Sequence, residues 1–156
     1  MLEAMEVAEV PARPAAVIPL VVPRAEMQAV MGPAIGELLA AVAAMGLVPA
    51  GPVFAHHRRA PGATFDFELG VPVDGAVVAS GRVRPGELPA ATVARATHRG
   101  PYEGLPASWG EFQAWMAARG LEPAPDLWEV YATGPHSDPD PAGWRTELFR
   151  PLVDRG

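Results

Sequence analysis

The stretch Met45-Gly46-Leu47-Val48-Pro49-Ala50 returns as Arg119-Gly120-Leu121-Glu122-Pro123-Ala124, 74 positions further along the chain. With that offset kept, Gly36-Glu37 falls on Gly110-Glu111, Gly32-Pro33 falls beside Pro106, and Phe54 falls on Trp128. A loop rich in Pro, Asp and Gly then adds five residues to the second half. Beyond it, Phe67-Glu68-Leu69-Gly70-Val71-Pro72-Val73 falls on Thr146-Glu147-Leu148-Phe149-Arg150-Pro151-Leu152. Matches in one order with a single insertion read as an internal duplication.

Each half carries the same succession of patterns. Ala15 to Val22 is an apolar β-rich run ending at Pro23, which predicts a strand. Met27, Val30, Ala34, Ile35, Leu38, Val42 and Met45 recur at helical spacing, with Pro33 expected in the first turn and Gly46 as the C-terminal cap. Val53 to His57 and Thr64 to Val71 read as strands, the second with Phe65, Phe67, Leu69 and Val71 on one face. The second half offers Ala91 to His98 as a strand and a helix stripe of Leu105, Trp109, Phe112 and Met116 that stops at Gly120. Ser108-Trp109-Gly110-Glu111 has the form of a capping box. Trp128 to Thr133 and Trp144 to Phe149 complete the strands, and the apolar run Val77 to Val83 could extend the sheet. The fold expected is α+β, a duplicated β-α-β-β module with pseudo-twofold symmetry. A central ligand groove is expected at the seam between the halves. The expected boundaries are a loose N-terminal arm over 1–12 and one domain over 13–154, with half-repeats at about 13–84 and 85–154.

Composition narrows the function classes. The chain has 156 residues, 12 Lys plus Arg against 18 Asp plus Glu, a formal net charge of −6 and no Cys. Phosphate binding needs concentrated Lys and Arg, so no direct nucleic-acid contact is expected. Disulfides, thiolate zinc sites and cysteine nucleophiles are excluded. No apolar stretch reaches the roughly 20 residues that span a bilayer, and the acidic start lacks the positive end of a secretory signal, so no membrane partner and a cytoplasmic location are expected.

Glu147 is the most informative acid. It lies between apolar residues in the middle of a predicted strand, where a carboxylate is disfavoured and costly to bury unpaired. One reading is a salt bridge to Arg145 or Arg150, or exposure on a solvated face. The other is a pocket carboxylate that receives a cationic or polar ligand. Glu68 is its repeat mate. Aromatic residues gather in the second half. Trp115 and Phe112 read as core, whereas Tyr102, Trp109, Trp128 and Tyr131 are pocket candidates, because their rings attract cations and their polar atoms want partners.

Other chemistry is poorly served. His56 and His57 are adjacent on a strand and point to opposite faces, and His98 and His136 have no ligand spacing, so no metal is expected. No cofactor is expected either, since a GxSxG turn, a Gly-rich phosphate loop and an HExxH helix are all lacking. Ser80 and Ser108 have no evident base, and Asp138-Pro139-Asp140-Pro141 reads as a plain turn.

The pattern Leu88-Pro89-Ala90, Thr97-His98-Arg99-Gly100-Pro101-Tyr102, Leu105, Trp109, Phe112, Trp115, then Trp128-Glu129-Val130-Tyr131, Asp138-Pro139 and Trp144-Arg145-Thr146-Glu147-Leu148 with Pro151-Leu152 resembles the GyrI-like small-molecule-binding family. That family includes the effector-binding domains fused to AraC-type and MerR-type regulators. The resemblance covers about residues 13 to 154. It implies a duplicated module whose groove takes hydrophobic, often cationic, compounds. The family's pocket glutamate on the last strand maps onto Glu147, and its aromatic walls onto Tyr102, Trp109, Trp128 and Tyr131. The chain shows no helix-turn-helix segment, so a stand-alone binding domain is expected, with regulation through a protein partner or by buffering ligand. Alternatively, some stand-alone members of the family resemble hydrolases of cyclopropane-containing alkylating compounds, with Glu147, Tyr102 and Tyr131 as the catalytic candidates. A third reading is a protein-interaction module such as a gyrase inhibitor.

Overall fold

The computed structural model describes residues 2–59, 62–134 and 137–153. In chain order the elements are β1 (Leu2–Val10), β2 (Arg13–Pro23), α1 (Met27–Ala44), β3 (Phe54–His57), β4 (Thr64–Pro72), β5 (Arg84–Leu88), β6 (Ala91–Arg99), α2 (Leu105–Ala118), β7 (Leu127–Thr133) and β8 (Arg145–Pro151). All strand pairs described below are antiparallel, so the mixed α+β class is as the sequence predicts. The chain forms two compact units, Pro11–Ala90 and Met1–Val10 with Ala91–Gly156.

In the unit over residues 11–90 the strand order is β3-β4-β2-β5. Ile18 pairs with Leu69, and Ala55 with the same Leu69 from the other side, which puts small and branched apolar residues in one row. Helix α1 packs on β2 and β4 and buries Ala34, Leu38 and Val42, spaced by four. Leu38 and Val42 each stabilise the fold by about 1.5–3 kcal/mol when fully buried. Gly70 in β4 leaves the space that the Phe54 ring fills, and a Cβ there would overlap the ring. Pro33 lies inside α1 rather than in its first turn, because a short 3-10 turn over Arg24–Glu26 comes first and the helix proper starts at Met27. The carbonyl left unpaired four residues earlier belongs to exposed Ala29, where water can satisfy it.

The segment 77–83 is not a strand. Gly81 at φ 57° reverses the chain, Ser80 and Val83 form an isolated bridge, and Val78 is 69% exposed. The edge of this sheet is β5 instead, pairing Arg13 with Leu88 and Val17 with Arg84. By length and composition the segment Arg24–Ala44 is apolar enough to cross a membrane. Here it lies against the sheet with its four-spaced stripe in the core.

The other unit has the order β1-β6-β8-β7. The segment expected as a loose arm is strand β1, pairing Leu2 with His98 and Val10 with Ala91. Its acids meet arginines on β6. Arg99 Nε donates to Glu3 at 3.0 Å and Arg95 Nε to Glu6 at 2.6 Å. A bulge between Glu3 and Glu6 carries Ala4 at φ 56°. Beneath α2, Leu2, Ala94, Ala96, Phe112, Met116 and Leu148 form one buried cluster. Ser108 does not cap this helix. Gly104 stands at the N-terminal boundary, and Ser108 is buried one turn inside.

The order of elements is β2-α1-β3-β4 in one unit and β6-α2-β7-β8 in the other, with the last strand between the other two in each. Both helices end on a left-handed glycine, Gly46 at φ 73° and Gly120 at φ 68°. Leu47 N then donates to Val42 O at 3.1 Å, and Leu121 N to Met116 O at 3.0 Å, the Schellman closure.

Candidate functional site

Strand β7 decides which side chains meet. Glu129 pairs with Leu148, which in turn pairs with Ala96, whereas Val130 pairs with Glu147, which pairs with Thr97. Residues directly opposite in a sheet share a face. Leu148 and Ala96 belong to the cluster under α2, so Glu129 faces α2. Glu147, Thr97 and Val130 occupy the reverse face.

Glu129 is held by two aromatic donors, one on each oxygen. The indole Nε1 of Trp109, reaching down from α2, donates to Oε2 at 2.7 Å. The hydroxyl of Tyr131, two residues along the same strand face, donates to Oε1 at 3.0 Å. The Tyr131 ring meets Tyr102 edge-on at 5.9 Å between centroids, and Tyr102 meets Trp144 at 5.1 Å. Trp144 is itself anchored by its Nε1 donating to Asp138 O at 2.7 Å. Trp109 from α2 and Tyr131 from β7 thus hold one carboxylate, and Tyr102 and Trp144, from the segments before α2 and β8, extend the aromatic cluster from Tyr131.

None of the ion pairs among the described residues involves Glu129. The residue retains some surface, but its carboxyl group is deep enough that burial raises its pKa even though the Trp109 and Tyr131 hydrogen bonds lower it. Burial also pushes Tyr131 well above the usual phenol range, and the neighbouring Glu129 charge pushes in the same direction. Tyr102 is raised first by burial and then by the same charge. Both phenols therefore stay protonated at neutral pH, and that of Tyr131 donates to Glu129. The arrangement is an anion with two fixed donors, ring faces nearby and, among the described residues, no ion-pair partner.

Of the residues expected at the site, Tyr102, Trp109 and Tyr131 are brought together. Glu147 is elsewhere. Its Oε2 accepts from Thr97 Oγ1 at 2.8 Å, and it lines a shallow polar depression with Ala4, Glu6, Arg95, Ala96 and Thr97. Neither Arg145 nor Arg150 clasps it; Arg150 Nε donates to Ala124 O at 2.9 Å. Trp128 is buried and stacks on Phe149 at 5.5 Å, in the row that register places on the Glu147 face. Glu68 belongs to the other unit, where Arg58 lies 3.8 Å away.

Sequence reasoning missed Glu129 and did not select Trp144. The signal for Glu129 was available in Trp128-Glu129-Val130-Tyr131, since a Glu and a Tyr two apart on a strand share a face. Among the described residues no cluster of three or more His, Asp and Glu side chains could hold a metal. His57 is buried and stacks on Phe67 at 5.0 Å. His136 lies outside the described residues.

A family model described as the GyrI-like small molecule binding domain matches residues 3–153. Among solved structures, the C-terminal domain of EcmrR superposes with a TM-score of 0.86 at 23% identity, over 99% of this chain and 99% of that one. The EcmrR chain in an EcmrR–DNA complex gives 0.84 at 22% identity, covering 97% of this chain but 57% of that one, so the chain spans little more than half of that protein. A hydrolase encoded by lin2189 from Listeria innocua gives 0.70 at 13% identity, over 97% and 92%. SAV2435, solved with tetraphenylphosphonium, gives 0.66 at 9% identity, over 96% and 94%. At these identities the likeness is one of fold. No curated protein matches the chain.

Proposed function

The chain belongs to the GyrI-like small-molecule-binding family, and from that premise we propose that it captures lipophilic, cationic aromatic compounds at Glu129, with Tyr102, Trp109 and Tyr131 as the ring walls. The observation that carries this reading is the enclosed carboxylate, held by Trp109 and Tyr131 with no cation paired to it among the described residues. A buried anion without a counter-charge is costly, and a ligand cation relieves that cost. Each ring face adds on the order of 0.5–2 kcal/mol toward a desolvated cation. Diffuse charge on an apolar body suits such a wall better than a compact, strongly hydrated ammonium. SAV2435, which shares the fold, was solved with a ligand of this class.

The test is a titration of tetraphenylphosphonium followed by tryptophan fluorescence, since Trp109 touches the carboxylate. Saturable quenching with return of intact compound is expected. No saturable change up to millimolar cation would end this reading.

A hydrolytic role is the second reading, favoured by the Tyr131 hydroxyl placed on a carboxylate with raised proton affinity. Such a pair suits acid–base work on a reactive small molecule. Catalytic consumption of a cyclopropane-containing alkylating compound would favour it over capture. Glu147 and its polar depression form a separate candidate contact for ligand on the reverse face. The matching strand orders and helix closures of the two units support an internal duplication. Transcriptional regulation through a protein partner, and a cytoplasmic setting, complete the proposal.

A further inference from the structure

We propose that His98 is a positioning residue for the ligand site, setting the placement of Trp109 and Tyr102 through the residues that precede them. This rests on the reading of Glu129 as the ligand carboxylate. His98 is at the end of β6 and is 1% exposed. Its Nε2 lies 2.9 Å from the carbonyl oxygen of Pro101, and its Nδ1 lies 2.6 Å from Ser108 Oγ. A carbonyl can only accept, so Nε2 carries the proton. In the neutral ring Nδ1 is then the acceptor, and the Ser108 hydroxyl donates to it.

The two anchored residues are not arbitrary. Pro101 immediately precedes Tyr102, and Ser108 immediately precedes Trp109. One imidazole therefore ties both the turn that carries Tyr102 and the first turns of α2 to the end of β6. Gly104 lets that turn close over the ring, since a Cβ there would stand 3.0 Å from His98 Cε1. The resulting geometry places the Trp109 indole N–H on Glu129 at 2.7 Å. Loss of either bond frees one wall residue, although neither bond is itself made to the carboxylate.

The indole N–H resonances of the four tryptophans give the test, read alongside tetraphenylphosphonium affinity in the intact chain. In Ser108→Ala, the Trp109 indole resonance should move toward its free position while those of Trp115, Trp128 and Trp144 stay in place. The dissociation constant should rise about fivefold, the scale of one lost buried hydrogen bond. His98→Gln, which can still reach the Pro101 carbonyl but offers no acceptor at the Nδ1 position, should shift the same resonance and serves if Ser108→Ala is poorly folded. An unmoved Trp109 resonance with unchanged affinity in both variants overturns the proposal. So does a common shift of all four indoles, which would mark general loosening. A selective Trp109 shift in a protein that does not bind the cation at all would uphold the positioning role and overturn the capture reading instead.

Discussion

Glu129 and Glu147 stand one register step apart on opposite faces of the β7–β8 pair, Glu129 opposite Leu148 and Glu147 opposite Val130. A step of one residue in a strand reverses the side-chain direction, so two acids that lie close in the sheet have unlike surroundings. One receives hydrogen bonds from an indole and a phenol, the other from a threonine hydroxyl.

Glu129→Gln should weaken tetraphenylphosphonium by about 1–3 kcal/mol, the cost of a lost charge-assisted partner. A neutral compound of the same shape should be much less affected. Burial raises the Glu129 pKa, so the charged form needed for capture is reached at higher pH than for an ordinary carboxylate. Cation affinity should therefore grow as pH rises through that raised value, and the growth should vanish in the variant. Folding stability runs the other way: protonation is favoured in the native state, so this group's contribution is full below the unfolded value of 4.5 and is lost as pH rises through the folded one. Parallel fluorescence titrations and denaturant melts across pH 4 to 8 separate the two trends.

Glu147→Gln makes the contrasting measurement. Its carboxylate already has the Thr97 hydroxyl and faces away from Trp109. Cation affinity should change by less than about 0.5 kcal/mol, as for a distant charge screened by solvent. A loss as large as that in Glu129→Gln would move the ligand to the reverse face.

The succession of strands and helices was legible because period-two and helical apolar patterns survive in each half, and because Gly46 and Gly120 stop their helices by the same left-handed turn. The polar depression around Glu147 was only half legible. Its strand could be read, but its neighbours Glu6 and Ala4 come from β1, a segment read as a loose arm, whose acids meet Arg95 and Arg99 on β6. The Glu129 cluster was hidden for a related reason. Pattern reading does not separate the two acids, since Glu129 stands between Trp128 and Val130 much as Glu147 stands between Thr146 and Leu148. What encloses Glu129 is long-range, an indole 20 residues earlier and the Tyr102–Trp144 contact. His98 and Ser108 gave no signal as a pair because one lies at a strand end and the other on a helix.

Gly70→Ala should destabilise the unit over residues 11–90 by about 1–3 kcal/mol, the usual cost of overpacking a well-filled core. The added methyl would overlap the Phe54 ring, which is buried and cannot swing into solvent. Phe54→Leu in the same chain should recover part of the loss by vacating that space. Denaturant midpoints of the two single variants and the double variant check this, and additive losses would refute the steric account.

His57 predicts a distinct acid sensitivity. It is 3% exposed, stacked on Phe67 and edge-on to Phe65, and burial pushes its pKa down to about 4 from an ordinary 6.5. The His56 charge adds to that depression, while Asp66 opposes it. The native state therefore favours the neutral ring, and the unfolded chain takes up the proton first. Stability from this group is fully present above pH 6.5 and is lost as pH falls toward 4, by up to about 3 kcal/mol across the window. His57→Leu removes the titrating group and keeps an apolar body between the two Phe rings. Its stability should be flat across that window apart from the slope contributed by other groups, Glu129 among them. The difference between wild type and variant isolates the histidine, because the two groups act with opposite sign as the solution is acidified. A wild-type curve parallel to that of His57→Leu between pH 6.5 and 4 would show that the imidazole titrates as it does in water.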